Sequence, residues 1–156
     1  MRARSILMLV ASFALAGAVL AQSKMRSMSH AATPVFKPAA DMTWTDLDPE
    51  HGPGVKVADV SGDHTKGAYA AFIKFPAGFS APLHTHTNTA KIVVISGTFL
   101  QAPEGKPEVR LGPGSYAVQP GGSYRHTTGC DKASECMIFV EGSGKFDLIP
   151  AEAAKK

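Results

Sequence analysis

The sequence predicts an all-β domain, a closed barrel or sandwich built from short strands. Its 156 residues, 44% hydrophobic and 19% charged, are enough for one hydrophobic core but not for two. The 15 glycines and 11 prolines favour a turn-rich β architecture over a helical bundle. Apolar residues do not recur with the 3.6-residue period of a helix, whereas turn residues recur at short intervals.

Short runs typical of β-strands follow one another between the turns. Residues 55–60 alternate in polarity, while residues 68–75 and 91–96 are mainly apolar, as in buried strands. The turn signals HGPG, SGD and PAG separate the early runs. The further predicted strands are residues 97–101, 107–111, 115–119, 123–128, 136–141 and 145–149. Roughly nine or ten strands of this length favour a closed architecture.

Residues 1–21 have the layout of a secretory signal peptide. Arg2 and Arg4 precede an apolar run that ends in small residues before Gln22. A retained membrane anchor is the alternative, but the run is short for a spanning helix and contains Ser and Gly. We therefore expect a periplasmic or secreted protein, with no stable membrane insertion after signal cleavage.

The remaining chain divides into a leader, a domain and a tail. Residues 22–40 lack periodicity and are expected to form a flexible N-terminal leader, residues 41–150 the folded domain, and residues 151–156 a C-terminal tail. Cleavage after residue 21 removes two of 16 basic residues and leaves 14 against 13 acidic ones. A nearly neutral protein is not expected to bind nucleic acid.

Cys130 and Cys136 are the two cysteines of the chain. An even number of cysteines in an oxidising compartment predicts a disulfide that closes a small loop. The alternative is a pair of free thiols, with Cys136 buried at the start of an apolar strand. Redox catalysis is not expected, because the two residues do not form a CxxC pair.

Three histidines form a candidate metal site. His84 and His86 are two residues apart on a predicted strand, so their side chains point to the same face. His126 lies on another predicted strand and supplies a third imidazole, a ligand that suits Zn, Cu, Fe and Ni. Exposed histidines on a strand would give the same pattern, and a metal-free structural barrel is therefore an alternative.

The residues around these histidines resemble the two motifs of the cupin superfamily. Residues 78–97 match the first motif, G-x5-H-x-H followed by a distant Gly, and residues 114–126 match the second, G-x5-P-x-G and His. Stretches such as KFPAGF and PGSYAVQPGG are similar to small single-domain bacterial cupins of unsettled function. The resemblance implies a double-stranded β-helix, the jelly-roll barrel. It also implies one divalent metal ion (Fe, Zn, Mn, Ni or Cu) bound by His84, His86 and His126.

The sequence departs from the family motifs at several positions. The Glu ligand of the family falls at Ala90 or Lys91, and its Asn falls at Cys130. One extra residue precedes His126, which a strand bulge would accommodate. Gln119 offers a carbonyl oxygen as a fourth ligand, although a hydrogen bond to the backbone is the alternative role for its amide.

Two further residues are candidates for a substrate pocket. Strand alternation places Tyr124 and Thr128 on the same face as His126, where Tyr124 would shape a pocket or pack in the core. Lys91 would attract a substrate carboxylate if it faced the barrel mouth, whereas a solvated lysine is the alternative.

The resemblance implies a small-molecule ligand or substrate. Three neutral imidazoles leave the charge of a divalent ion uncompensated, which favours anionic chelating ligands. The three-histidine face is similar to that of the diketone-cleaving dioxygenase branch, so we expect a dioxygenase-like activity on a dicarbonyl, phenolic or carboxylate substrate. A non-catalytic ligand-binding or sensor module is the alternative. Dimers are common in the family, and the resemblance allows a homodimer.

Overall fold

The computed structural model describes residues 33–152. Residues 1–21, predicted as a signal peptide, residues 22–32 of the leader and residues 153–156 of the tail lie outside the described residues. The chain divides into two units. The first unit is Met1–Val35, and its described residues, 33–35, contain no helix or strand. The second, Phe36–Lys156, contains every element described below. Between residues 33 and 152, no helix is long and apolar enough to cross a membrane.

The second unit is almost entirely β, which confirms the predicted fold class. One short 3-10 helix, Ala39–Asp41, lies at the end of the predicted leader, and eleven strands follow within the described residues. The strands are β1 (Thr45–Asp46), β2 (Lys56–Gly62), β3 (Tyr69–Phe75), β4 (Ser80–Thr85), β5 (Ala90–Ser96), β6 (Phe99–Pro103), β7 (Val109–Leu111), β8 (Tyr116–Gln119), β9 (His126–Cys130), β10 (Cys136–Gly142) and β11 (Ile149–Pro150).

The strands form two antiparallel sheets that share one core. One sheet has the order β1-β2-β3-β10-β5-β8, and the other has the order β11-β4-β9-β6-β7. Ile138 of β10 pairs with Ile73 of β3 and with Val94 of β5, so inward-facing apolar side chains lie side by side. These side chains join Phe99 of the other sheet in one buried cluster. The alternation of burial along β3 follows from the two-residue period of a strand.

The prediction of a strand at residues 145–149 is mostly wrong. Only Ile149 and Pro150 pair with β4. The backbone of the preceding residues bonds elsewhere, because the Phe146 N–H donates to the His64 carbonyl at 2.7 Å and the Lys145 carbonyl accepts from the Asn88 amide at 3.0 Å. A sequence with strand-like composition therefore serves as a connecting segment.

A strand irregularity lies next to the candidate site. The register of β4 against β9 shifts between Ala81 and His84, after which His84 pairs directly with His126. The irregularity lies in β4, whereas the extra residue noted in the sequence precedes β9. It brings His84 and His126 into register across the two strands.

A disulfide joins the two sheets. Cys130 ends β9 of one sheet and Cys136 begins β10 of the other, with an S–S distance of 2.06 Å and a Cα–Cα distance of 5.8 Å. Both residues are buried. The bond therefore links the strand that begins with His126 to the centre of the six-stranded sheet.

Candidate metal centre

Three imidazoles converge at one end of the five-stranded sheet. His84 lies on β4, His86 follows the end of that strand, and His126 begins β9. One ring nitrogen from each lies within 4.8 Å of the other two, and the ring centroids are 4.4 to 5.3 Å apart. His84 and His126 are fully buried, so the alternative of exposed histidines does not describe them. The convergence results from the strand pairing of β4 with β9.

Hydrogen bonds determine which ring nitrogens face the centre. The Nδ1 atoms of His84 and His126 donate to the carbonyls of Pro82 at 2.6 Å and Tyr124 at 3.3 Å, and that of His86 donates to the Asp147 carbonyl. A carbonyl only accepts, so each Nδ1 carries the proton and each Nε2 presents a lone pair. Backbone carbonyls orient metal-bound histidines in this way in many proteins.

The Nε2 atom of His126 is buried and has no hydrogen-bond partner among the described residues. An unsatisfied buried nitrogen is costly, and the cost disappears when the lone pair binds a metal ion. Burial lowers the pKa of His84 and of His86. Burial and the nearby His84 lower the pKa of His126 to about 4. All three rings are therefore neutral near pH 7, which is the form that binds divalent metals. The residues present fit a divalent ion.

The turn at Gly121 and Gly122 packs against the segment that contains His86 and so joins the two cupin-like motifs. The Gly121 N–H donates to the Thr89 hydroxyl at 3.1 Å, and the Gly122 N–H donates to the His86 carbonyl at 2.8 Å. A Cβ atom on Gly121 would lie 2.4 Å from the Thr87 carbonyl oxygen, a distance that side chains do not tolerate. Glycine is therefore required for the turn to pack against the segment that contains His86.

Gln119 lies opposite the position where the family has its Glu ligand. It pairs with Ala90 across β8 and β5, and both residues line the same cavity. The side chain is buried, and its amide makes no hydrogen bond to any residue in the described range 33–152. The structure thus differs from the alternative in which the backbone binds this amide.

The cavity extends from the histidines into the apolar core and has a volume of about 70 Å³. His84 and His86 line it beside apolar side chains, including Phe75, Phe79 and Phe99. These aromatic side chains form a wall that offers water few hydrogen-bond partners. A small ligand with an apolar part suits this lining better than a highly charged one.

The segment from Gly144 to Leu148 also lines the cavity, which the sequence reasoning missed. Asp147 binds the His86 ring through its carbonyl, and the Phe146 ring lies 5.6 Å from that ring. Asn88 donates to the Lys145 carbonyl and thereby ties the segment down. No local pattern connected this segment to a histidine 61 residues earlier.

The other residues predicted for the site are Tyr124, Thr128 and Lys91, and they do not all lie beside the histidine cavity. Tyr124 precedes β9, and its ring stacks on His126 with a centroid distance of 4.8 Å and an interplanar angle of 20°. Thr128 lines the cavity and accepts a hydrogen bond from Gln101 at 2.9 Å. Lys91 is exposed and lines a separate surface depression beside Glu141. Lys91 therefore does not face the histidine cavity, because strand alternation turns its neighbour Ile92 into the core.

A second group of candidate metal ligands, Asp59, Asp63 and His64, lies at the connection between β2 and β3. His64 Nδ1 bonds to Asp59 at 2.8 Å. Asp63 accepts the hydroxyl of Thr65 at 2.6 Å and pairs with Lys66. Each of the three side chains is thus bonded within the protein.

Comparisons with known proteins agree with this fold. KdgF from Halomonas sp. is 25% identical with a TM-score of 0.54, over 71% of this chain and 94% of that one. An RmlC-like cupin from Ralstonia eutropha is 19% identical with a TM-score of 0.60, over 81% and 78%. The DMSP lyase DddQ from Ruegeria pomeroyi is 21% identical with a TM-score of 0.57, over 75% and 64%.

No curated protein matches the sequence. Residues 35–156 match the model of a family described as a domain of unknown function, DUF4437. The resemblance to the cupins noted in the sequence is confirmed by the RmlC-like fold. The chain belongs to the DUF4437 family, and its fold is that of the RmlC-like cupins.

Proposed function

We propose that this protein is a periplasmic or secreted metal-binding cupin whose histidine centre binds a small chelating ligand. His84, His86 and His126 would hold one divalent ion through their Nε2 atoms. The observation that carries the proposal is the buried, unpartnered Nε2 of His126, in a group whose three Nδ1 atoms are already bonded to carbonyls. The signal-like residues 1–21 support the location.

Gln119 would supply a fourth ligand. It stands across from Ala90, the first of the two positions that match the Glu of the family motif, and its amide is not engaged by the described residues. A side chain on β8 would thus replace one on β5, because directly paired strand residues have Cβ atoms only about 5 Å apart. The amide oxygen is neutral, so the ion would keep its full positive charge.

The charge of the centre indicates the class of ligand. A bound ion would supply Lewis-acid charge and open coordination positions to an anionic chelate. The protein itself contributes neutral imidazoles, an aromatic wall and few hydrogen-bonding groups. A dicarbonyl, phenolic or carboxylate compound fits these features. Oxygenase-like turnover of such a compound is the activity that we propose.

Ligand binding without turnover is the second candidate function. The two carboxylates that line the cavity are both used structurally: Asp48 binds His51, and Asp147 binds the Thr87 N–H. Each carboxylate thus already has a structural role, which favours ligand binding over proton transfer. A binding or sensor module would need no such base.

Elemental mass spectrometry of protein purified without chelators tests the metal site. We expect about one divalent ion per chain, and loss of that ion in His84→Ala and His126→Ala. His51→Ala is the matched control, because His51 bonds to Asp48 and is not one of the three converging rings. Metal absent from the wild type after reloading would overturn the proposal. Oxygen uptake by loaded protein with dicarbonyl and phenolic compounds then separates turnover from binding alone.

A further inference from the structure

Apart from the histidines, two uncharged polar side chains of the histidine cavity have no hydrogen-bond partner among residues 33–152. The other uncharged or acidic polar side chains that line it, apart from the histidines, have protein partners within the described residues: Asp48, Asn88, Thr89, Thr128 and Asp147. Gln119 and Tyr69 have no side-chain hydrogen bond in the same range. Gln119 is assigned above to the metal, which leaves the hydroxyl of Tyr69.

We propose that Tyr69 is a specificity-determining residue, whose hydroxyl donates a hydrogen bond to an oxygen atom of the ligand bound at the histidine centre. This inference rests on the proposed function. It adds a protein group that distinguishes ligands with a suitably placed oxygen from ligands that merely coordinate metal. The class that it selects is an enolate, phenolate or carboxylate with an acceptor oxygen directed toward β3.

The ring of Tyr69 is held in a defined position. It lies over Gly142, where a Cβ atom would come within 2.2 Å of its Cε1 atom. His64 contacts it edge-on at a centroid distance of 6.1 Å, and Asp59 anchors His64 at 2.8 Å. A side chain positioned before the ligand arrives loses little conformational freedom on binding.

The chemistry of the hydroxyl agrees with a donor role. Tyr69 is 8% exposed, and within residues 33–152 its hydroxyl has no hydrogen-bond partner. The hydroxyl is therefore available to donate to an acceptor that enters the cavity. Burial, together with the carboxylates of Asp59 and Asp147, raises the pKa of Tyr69 to about 12. The hydroxyl therefore keeps its proton near pH 7.

Tyr69 also separates two concave regions. Together with Thr89 and Gly142, it lines both the histidine cavity and the surface depression that contains Lys91. Tyr69 therefore forms part of the wall between them. Tyr69→Phe keeps the wall and removes only the hydroxyl, which makes this variant a specific probe of the proposed hydrogen bond.

The experiment measures metal and ligand binding on the same samples. Full-length wild type, Tyr69→Phe and Tyr116→Phe are loaded with metal and titrated calorimetrically with acetylacetone, oxalate and catechol. Tyr116 is the matched control, because it is 59% exposed on β8. We expect equal metal content in all three proteins. We also expect about tenfold weaker binding of at least one probe by Tyr69→Phe alone.

The other outcomes overturn the inference in distinguishable ways. Equal affinity of Tyr69→Phe and wild type for every bound probe would exclude the hydrogen bond. Binding of no probe by loaded wild type would exclude the ligand class. Metal loss confined to Tyr69→Phe would indicate that the residue supports the centre rather than the ligand. No metal in the wild type would overturn the proposed function itself, and the role of Tyr69 with it.

Discussion

His86 donates its Nδ1–H to the backbone carbonyl of Asp147, a residue 61 positions further along the chain. The Asp147 carboxylate accepts the N–H of Thr87 at 2.8 Å. One residue therefore holds both the His86 ring and the backbone beside it. The segment before β11 thus orients one of the three imidazoles, although it contains none of them.

Asp147→Ala is expected to weaken metal binding about tenfold, because partners that orient a metal-bound histidine have effects of that size. The substitution removes the carboxylate that anchors the segment to Thr87 and leaves the carbonyl less firmly placed. Competition with a chelator measures the affinity. Asp46→Ala is the control, since Asp46 pairs with Lys56 on the surface. Equal affinities in the two variants would contradict the role of the segment.

Gly121→Ala is expected to lower the free energy of unfolding by roughly 2 kcal/mol, the cost of overpacking. The new Cβ atom would lie 2.4 Å from the Thr87 carbonyl oxygen. Gly67→Ala is the matched control, because nothing lies within 4 Å of its Cβ position. Urea denaturation compares both variants with the wild type. Similar midpoints for the two variants would show that the turn relaxes without cost.

Two substitutions of Gln119 test its assignment as a ligand, because they are expected to change the metal affinity in opposite directions. Gln119→Glu is expected to tighten metal binding, because a carboxylate compensates the charge of the ion. Gln119→Leu is expected to weaken binding, because it has a similar size and no donor atom. Chelator competition provides both affinities. Equal effects of the two substitutions would place the side chain outside the metal shell.

Removal of the disulfide by Cys130→Ala with Cys136→Ala is expected to cost about 2 kcal/mol of unfolding free energy. The bond closes a short loop with a sequence separation of 6, and it limits the freedom of the unfolded chain. Urea denaturation with and without reductant measures the effect. Reductant should destabilise the wild type and leave the double variant unchanged. A wild type insensitive to full reduction would refute the expectation.

Tyr69 is expected to titrate with a pKa of about 12, because burial disfavours the tyrosinate. The ultraviolet difference spectrum between wild type and Tyr69→Phe isolates this titration. Above the unfolded-state pKa of 10.0, the unfolded chain releases a proton that the folded chain retains. This contribution to stability is complete below pH 10 and is lost as pH rises from 10 toward 12. Tyr69→Phe should lose less stability over that range, and equal losses would contradict the assignment.

Local pattern predicts much of this fold. Strands β3, β5 and β10 were expected from apolar and β-branched runs, because a buried strand contacts the core along its whole length. The spacing of His84 and His86 indicated the candidate centre, because residues two apart on an extended chain face the same side.

Local sequence patterns did not predict the long-range contacts. The segment that contains Asp147 has strand-like composition, yet its backbone bonds to His64, His86 and Asn88 instead of a strand partner. Tyr69 lies within the apolar run of residues 68–75, and the run alone does not indicate that this residue lines the histidine cavity. The position of the strand irregularity in β4 depends on the pairing of β4 with β9.

Local sequence patterns were enough to predict the fold class, most of the strands and the three histidines of the candidate centre. These features depend on neighbouring residues and on the periodicity of a strand. Which imidazole nitrogens face the centre, and which residue lies opposite the position of the family's Glu, became clear only from the folded structure. Each of these depends on contacts between strands far apart in the chain, which no local pattern encodes.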